Sequence, residues 1–469
     1  MKKIEFLQDV QQTALRHKMT KNLTVGNPAL LIVSFAAPLF AGNLFQQFYN
    51  MADVFIVGRT LGVNALAAVG STGSINFLVL GFLINSTQGA AIVTAQRFGA
   101  QDLPGVRRSF AASAALGAMT TCVLMFLGIF FCRPLLALLG TPAEIAGAAR
   151  SYIIIIYWGM PAALLFNLFS SMMRAVGDSR TPLVILAVAC VLNIILDYTF
   201  ILVFHTGVEG AAYATVIAQL VSGLLCFPVM AARFPFFRIS RSSLCVTAGE
   251  LRAHVRIAVP MGFQMSIIAL GSVTVTFALN RLGALAVAAF TASQKIDMLV
   301  NMPLGSLGAA MATYSAQNYG ARKLERIKAG VKSSLCMALS FSMLIGLVYF
   351  FFGHFLSALF LGSEEAAVSM SHTYLKIAGM SYVFLAWLFI LRQTLQGLGN
   401  SFIPTVAGIT ELCMRTFAAV ILSRLFGFTG LCFSSPLAWA GGCIPLTAAM
   451  ALTLKKINRK ILQGYSMGV

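Results

Sequence analysis

The chain has 469 residues, 58% of them hydrophobic and 10% charged, with a mean hydropathy of +0.85, whereas soluble domains carry about 25% charged residues. That balance excludes a soluble enzyme or binding module and reads as an all-α polytopic membrane protein. The formal charge of +19 is spread along the chain rather than gathered on one domain, which argues against a nucleic-acid surface and for basic loops beside anionic lipid.

The first 27 residues, with Lys2, Lys3, Arg16, Lys18 and Lys21, read as a basic amphipathic segment on the membrane surface. No small-residue cleavage site precedes the first apolar run, so they do not read as a secretory signal. Twelve apolar runs of about 20 residues follow, each long enough to cross about 30 Å of hydrocarbon. They lie near 28–52, 65–87, 110–132, 151–173, 183–204, 209–231, 257–280, 286–312, 333–353, 373–395, 404–424 and 430–452.

The first run carries FQQFYNMADVFIVGRTLG, from Phe45 to Gly62, and so sets Gln46, Gln47, Asn50 and Asp53 among apolar residues. Pro38 removes a backbone hydrogen bond upstream and lets that helix bend, and Gly58 to Gly62 reads as the turn into helix two. In the fifth run, CVLNIILDYTFILVF places Asn193 and Asp197 at i and i+4, one above the other on a single face. Thr215 follows the Gly207 to Gly210 turn into the sixth. The longest polar connection, 233–256, divides a first lobe (28–232) from a second (257–453), and a tail (454–469) closes the chain. In the eighth run Lys295 and Asp297 either pair across the bundle or line a cavity. In the eleventh, Glu411 and Arg415 stand at i and i+4 and read as a structural ion pair or as cavity charges.

The two lobes repeat one another. AAPL (Ala36 to Leu39) faces AVPM (Ala258 to Met261), LGVNALAAVGSTG (from Leu61) faces LGALAVAAFTASQ (from Leu282), AQRFGAQD (from Ala95) faces AQNYGARK (from Ala316), and RAVGDSRTP (from Arg174) faces QGLGNSFIP (from Gln396). The offset is 221 or 222 residues throughout. Six helices per repeat is an even number, so the repeats run parallel, related by a pseudo-two-fold axis along the membrane normal, with a cavity between the bundles near the midplane. Lys and Arg gather before run one, between even and odd runs and after run twelve, while the opposite loops hold only Arg59, Arg133, Arg150, Arg281 and Arg424. Both termini are therefore expected in the cytoplasm of a plasma (inner) membrane.

A charge at bilayer depth costs roughly 3 kcal/mol even on the lenient insertion scale. The position facing Asp53 in the second repeat is Thr274, so the repeat alone does not place the acid. Asp53 by itself also fits a carboxylate that reaches water at the outer end of helix one, the Asn193 and Asp197 pair also fits an amide that glues helices, and Thr215 is unremarkable alone. Together they offer hard oxygen donors, suited to a small hard cation or to a proton shared between two acids. Most of the nine Cys lie in the runs without CxxC or metal spacing and read as packing residues.

The string AAPLFAGNLFQQFYNMADVFIVGRTLGVNALAAVG, followed by GAQD, RAVGDSRTP, NIILD and GAAYAT, resembles the multidrug and toxic compound extrusion family, MATE, over about Pro28 to Lys456. The resemblance implies two six-helix lobes around a V-shaped cavity and export of amphipathic, often cationic compounds in exchange for Na⁺ or H⁺, with no catalysis and no other cofactor. It also implies a coupling site at Asp53, Asn193, Asp197 and Thr215, a bend at Pro38, and cavity contacts at Gln46 and Tyr49. We add Asn50, Lys295, Asp297, Glu411 and Arg415 as candidate cavity residues. One branch of the family holds coupling acids on helices seven and ten; neither carries one here, which shifts weight to the first lobe. The expected partners are small amphipathic molecules and membrane lipids, with no nucleic acid and no obligatory protein partner. The nearest alternative is a flippase for a lipid-linked sugar precursor, which requires a strongly cationic cavity, and only Lys295, Lys376 and Arg415 lie in the runs. An intramembrane enzyme lacks paired Asp motifs here, and a channel lacks a filter loop.

Overall fold

The computed structural model of the chain describes residues 22–237 and 246–463. Most of the expected N-terminal basic segment, the middle of the inter-lobe linker and the end of the tail lie outside the described residues. Every regular element described is helical: α1 Pro28–Leu61, α2 Val63–Gly99, α3 Leu103–Phe130, α4 Cys132–Leu138, α5 Ala143–Trp158, α6 Met160–Ala175, α7 Arg180–Tyr198 and α8 Val208–Arg233 in the first half. The second half holds α9 Ala248–Asn280, α10 Ala284–Gly320, α11 Leu324–Leu361, α12 Glu365–Gly397, α13 Phe402–Phe417, α14 Ser423–Cys432 and α15 Ser434–Leu462.

Among the described residues ten spans are long and apolar enough to cross a bilayer as they stand, and α5 with α6 makes an eleventh, bent by 47° at Gly159. The twelfth, α10, is 37 residues long but more polar, because it carries Lys295, Asp297 and Asn301. The helices outrun the apolar runs: α2 has 37 residues and α11 has 38. Hydropathy marks the part inside hydrocarbon, while backbone hydrogen bonding carries the helix on through the headgroup layer. For this reason Gly58 lies inside α1, and the turn into α2 is Gly62 alone, at φ +84°. The linker is likewise shorter than its polarity suggests. It opens with Phe234, Phe236 and Phe237 buried, the last stacked edge-on against Phe110 at 5.4 Å, and α9 already begins at Ala248.

Side chains cap some of the helix starts. The Asn27 side chain accepts from the Ala29 amide at 2.9 Å with Pro28 next to it, and Asp102 accepts from Gly105 at 2.9 Å. Bulky apolar side chains such as Phe126, Phe130, Phe351 and Phe355 project outward, as expected where the surrounding solvent is lipid.

Buried apolar residues form two large cores. Among the described residues three helices contribute to both: α10 does so through Ala316, which lies in the first-lobe core while Phe290 and Tyr314 lie in the second, and α1 and α9 do so more extensively. Ile32, Phe35 and Ala36 of α1 pack in the second-lobe core, whereas Ile56 and Val57 pack in the first; Ile257 and Met261 of α9 lie in the first-lobe core, whereas Val275, Ala278 and Leu279 lie in the second. Pro38 and Pro260 both sit in the part of the helix that lies on the opposite lobe.

The gap between α2 and the second repeat widens along its length. Gly99, Gly81 and Gly70 lie on nearly one face of a 3.6-residue helix. A carbon added to Gly99 would stand 1.9 Å from the Gln317 carbonyl oxygen, one on Gly81 3.6 Å from Met265 Cβ, and one on Gly70 would meet nothing within 4 Å. The lobes therefore meet at the end that carries Arg97, Arg107, Arg108 and Arg174, the basic end, and part toward the other.

Candidate functional site

Helical spacing of four puts Tyr49 and Asp53 on one face of α1, and Asn193 and Asp197 on one face of α7. These faces meet beside α8, where the Thr215 hydroxyl donates to Asp53 Oδ2 at 3.5 Å. Asp53 faces Asp197 and Asn193 across the helix boundary. Asn193 and Asp197 are 0% exposed and Thr215 9%. The structure thus brings together all four residues of the expected coupling site.

What sets this cluster apart is missing partners. Tyr49 OH, Asp53 Oδ1, both amide atoms of Asn193 and both carboxylate oxygens of Asp197 are buried with no hydrogen-bond partner among the described residues. An unsatisfied buried polar group costs about 1–3 kcal/mol, more when charged, and two facing carboxylates repel. Neither acid has a Lys or Arg within ion-pair distance among the described residues. The set is dominated by oxygens, which suits a small hard cation or a proton and not a soft metal. No group of three His, Cys, Asp or Glu among the described residues has metal-binding geometry.

One neighbour escapes sequence reasoning. Tyr152 of α5 is buried close enough to Asp53 and Asp197 to feel both charges. A lone Tyr in an apolar run looks like ordinary filler, and nothing in its spacing links it to α1. The π-type turn Thr199–Val203, which follows Asp197, is not peculiar to the site. A matching turn, Ala418–Leu422, follows α13 in the second lobe, so it belongs to the repeat.

The other candidates separate into distinct places. Gln46 and Asn50 are exposed and bond to each other at 3.4 Å, on a face of α1 from which Asn43 reaches Ser306 of α10 at 3.0 Å and Gln47 reaches Met298 Sδ at 3.6 Å. Tyr49 is not on that face but buried with Asp53. Lys295 is exposed with no carboxylate partner among the described residues, whereas Asp297, two residues and about 200° round the helix, is buried. Asp297 accepts from the Tyr382 hydroxyl and from Asn301 Nδ2 at 3.2 Å.

The expected Glu411–Arg415 pair does not form. Glu411 is bound by Arg392 of α12, both of them buried, and Arg415 instead lies against Gly271 of α9, its Nε without a partner among the described residues. An i, i+4 spacing permits a pair, but the facing helix offered Glu411 a guanidinium at closer range.

Comparison with known proteins places this geometry in a lineage. "Probable multidrug resistance protein YoeA" of Bacillus subtilis (strain 168) is 28% identical over 80% of this chain and 82% of its own length. The "FAD transporter" of Shewanella oneidensis is 23% identical over 87% of this chain and 91% of its own length. Among solved structures, one described as MATE in the bent conformation superimposes with a TM-score of 0.86 at 21% identity, covering 94% of this chain and 98% of that one. The family profile described as MatE matches residues 38–199 and again residues 260–421. The second match begins and ends 222 residues after the first, the offset of the internal repeat. The chain is a member of the MatE family.

Proposed function

We propose that the chain is a cation-coupled secondary antiporter that exports amphipathic, often cationic compounds by alternating access, and that it is not an enzyme. The observation that carries this reading is the set of partnerless polar atoms around Asp53, Asn193 and Asp197. A fold does not keep two facing, unneutralised carboxylates at membrane depth for packing, because apolar residues of the same volume are cheaper there. A site that lacks neutralising charge in the protein is completed by Na⁺ or H⁺ from outside, and Tyr49 and Tyr152 add two phenols to its wall.

Several features support exchange between two states. Helix α1 carries Asp53 beside Ile56 and Val57 of one core and Phe35 in the other, so occupancy of the acid is linked mechanically to the relation between lobes, with Pro38 as the point of bending. Ligands drive such a cycle only by binding the two states unequally. In this reading the basic end faces the cytoplasm of the plasma membrane, by the positive-inside rule, and the wide end faces out, so that a cation enters as the exported compound leaves. The polar face with Asn43, Gln46, Gln47 and Asn50 looks toward α10 and supplies neutral hydrogen-bonding groups to that compound. The names of relatives, multidrug resistance in one and FAD transport in another, support small organic cargo. The choice of cationic cargo rests on the carboxylates, because Arg415 is turned against Gly271 and Lys376 lies over the Phe350 ring, so that Lys295 alone leaves the interior short of the positive charge that an anion flippase requires.

The test is movement of the cationic dye ethidium in everted membrane vesicles under separately imposed Na⁺ and H⁺ gradients. Dye movement that follows one gradient and stops in Asp53→Asn and Asp197→Asn is the expected result. Movement that ignores both gradients would sink the coupling assignment.

A further inference from the structure

The basic end is closed by contacts in which the carboxylate cluster takes no part. Gln96 of α2, 5% exposed, donates from Nε2 to the Gly397 carbonyl at 2.8 Å. Gln317 of α10, 0% exposed, donates from Nε2 to the Ala175 carbonyl at 2.8 Å. Each bond crosses from one repeat to the other. Gln96 and Gln317 occupy equivalent positions in AQRFGAQD and AQNYGARK, and Ala175 and Gly397 occupy equivalent positions in RAVGD and QGLGN. The two bonds are therefore one contact made twice, once on each side of the pseudo-two-fold axis.

The acceptors explain why an amide is needed. Ala175 and Gly397 end α6 and α12, and the last carbonyls of a helix have no partner within it. The next amides turn back to earlier carbonyls: Gly177 bonds to Arg174 and Asp178 to Met173, and likewise Gly399 bonds to Gln396 and Asn400 to Leu395. None of these uses the carbonyl of Ala175 or Gly397, which leaves each free for the glutamine of the opposite lobe.

The backbones around the two bonds are pressed together by a second reciprocal feature. A carbon added to Gly99 would lie 1.9 Å from the Gln317 carbonyl oxygen, and one added to Gly320 would lie 1.8 Å from the Gln96 carbonyl oxygen. Any side chain at either glycine would hold the lobes apart. Gln317 is tied further, because its Oε1 accepts from the Leu23 amide at 3.1 Å and so draws the approach to α1 into the same junction.

We propose that Gln96 and Gln317 form a paired latch that holds the basic face shut while the opposite face is open, and that the two halves release together. This rests on the alternating-access reading above. Parting the lobes at this end lengthens both contacts at once, so each bond restrains the opening that would break the other. The amides suit a seal that must reopen. In the closed state they bond to orphan carbonyls, and in the open state both groups are hydrated, so neither state leaves a polar atom stranded. An apolar seal of the same area would be penalised on every opening, and an ion pair would pay desolvation on every closing. One neutral hydrogen bond is worth about threefold to tenfold in such an equilibrium.

The latch is tested by hydrogen exchange with mass spectrometry on the purified full chain in lipid nanodiscs, read at the helix ends 93–103, 172–180, 314–324 and 394–402. Gln96→Ala is expected to speed exchange about threefold to tenfold at all four segments, including the Gln317 and Ala175 ends that it does not touch. Gln317→Ala is expected to do the same, and the double variant to exceed both. Gly99→Leu is expected to give the fastest exchange, because it wedges the lobes apart. Acceleration confined to the mutated contact overturns the paired latch, and parent-like exchange in the double variant overturns the latch altogether. Where Gln→Ala yields too little protein, Gln96→Glu removes the donor at constant size and serves the same comparison. Ethidium exchange in vesicles is measured alongside. If the parent moves no dye yet the variants open as described, the latch stands and the transport reading fails; if dye exchange is normal and the variants stay shut, the latch fails alone.

Discussion

In the middle of its spans each lobe holds two acids, Asp53 and Asp197 in the first and Asp297 and Glu411 in the second, and the two lobes treat them in opposite ways. In the second lobe Glu411 is neutralised by Arg392, and Asp297 is bonded by Tyr382 and Asn301. In the first lobe Asp197 has no partner at either oxygen, and Asp53 has only a long bond from Thr215. Both lobes are built on the same repeat, so the difference does not come from the fold. A bilayer interior penalises an isolated carboxylate heavily. An acid that the protein completes by itself is explained by structure, whereas the acids left incomplete are the ones to which the proposed function assigns coupling.

This contrast can be broken at four points, in order of expected effect. Asp53→Asn and Asp197→Asn should each reduce gradient-driven ethidium exchange to background while leaving the melting temperature unchanged or slightly raised in cation-free buffer, since they relieve repulsion; a marked loss of stability would make these acids structural. Glu411→Gln should act in reverse, lowering stability by about 3–5 kcal/mol by stranding Arg392 in the interior, as read by thermal unfolding in detergent. The double change Arg392→Met with Glu411→Leu should recover most of that loss. Asp297→Leu should cost about 1.5–3 kcal/mol, the value of hydrogen bonds to a charged group, and Tyr382→Phe should add little to it because both remove the same bond. Thr215→Val should be the mildest, weakening the cation dependence of transport by about threefold or less, because at 3.5 Å the hydroxyl contributes a weak bond.

Much of the first-lobe site was legible in the chain. Asp53, Asn193, Asp197 and Thr215 are polar residues in apolar runs, at spacings that fix their helix faces, and a carboxylate in such a run needs a reason wherever it points. Tyr152, Tyr382 and Arg392 were not legible. A tyrosine is at home in a membrane helix, and Arg392 counts with the loop cations until α12 is seen to continue to Gly397 and hold it inside. The Glu411 and Arg415 spacing was misleading because an i, i+4 pair competes with every helix packed alongside, and Arg392 on α12 prevailed. Gln46, Tyr49 and Asn50, close in sequence, were divided between two faces by about 100° of rotation per residue.

The reach of sequence is set by what one helix records about itself. Length, apolar runs and the 221- to 222-residue offset determined the spans, the repeat and which polar residues fall inside apolar runs, since these depend only on local composition. The tertiary structure alone decided which acids find partners, that α1 and α9 cross between cores, and that Gln96 and Gln317 bind the ends of helices in the opposite lobe. Those outcomes depend on the rotation and distance of helices far apart in the chain, and a hydrogen bond is made or lost over less than an ångström of either.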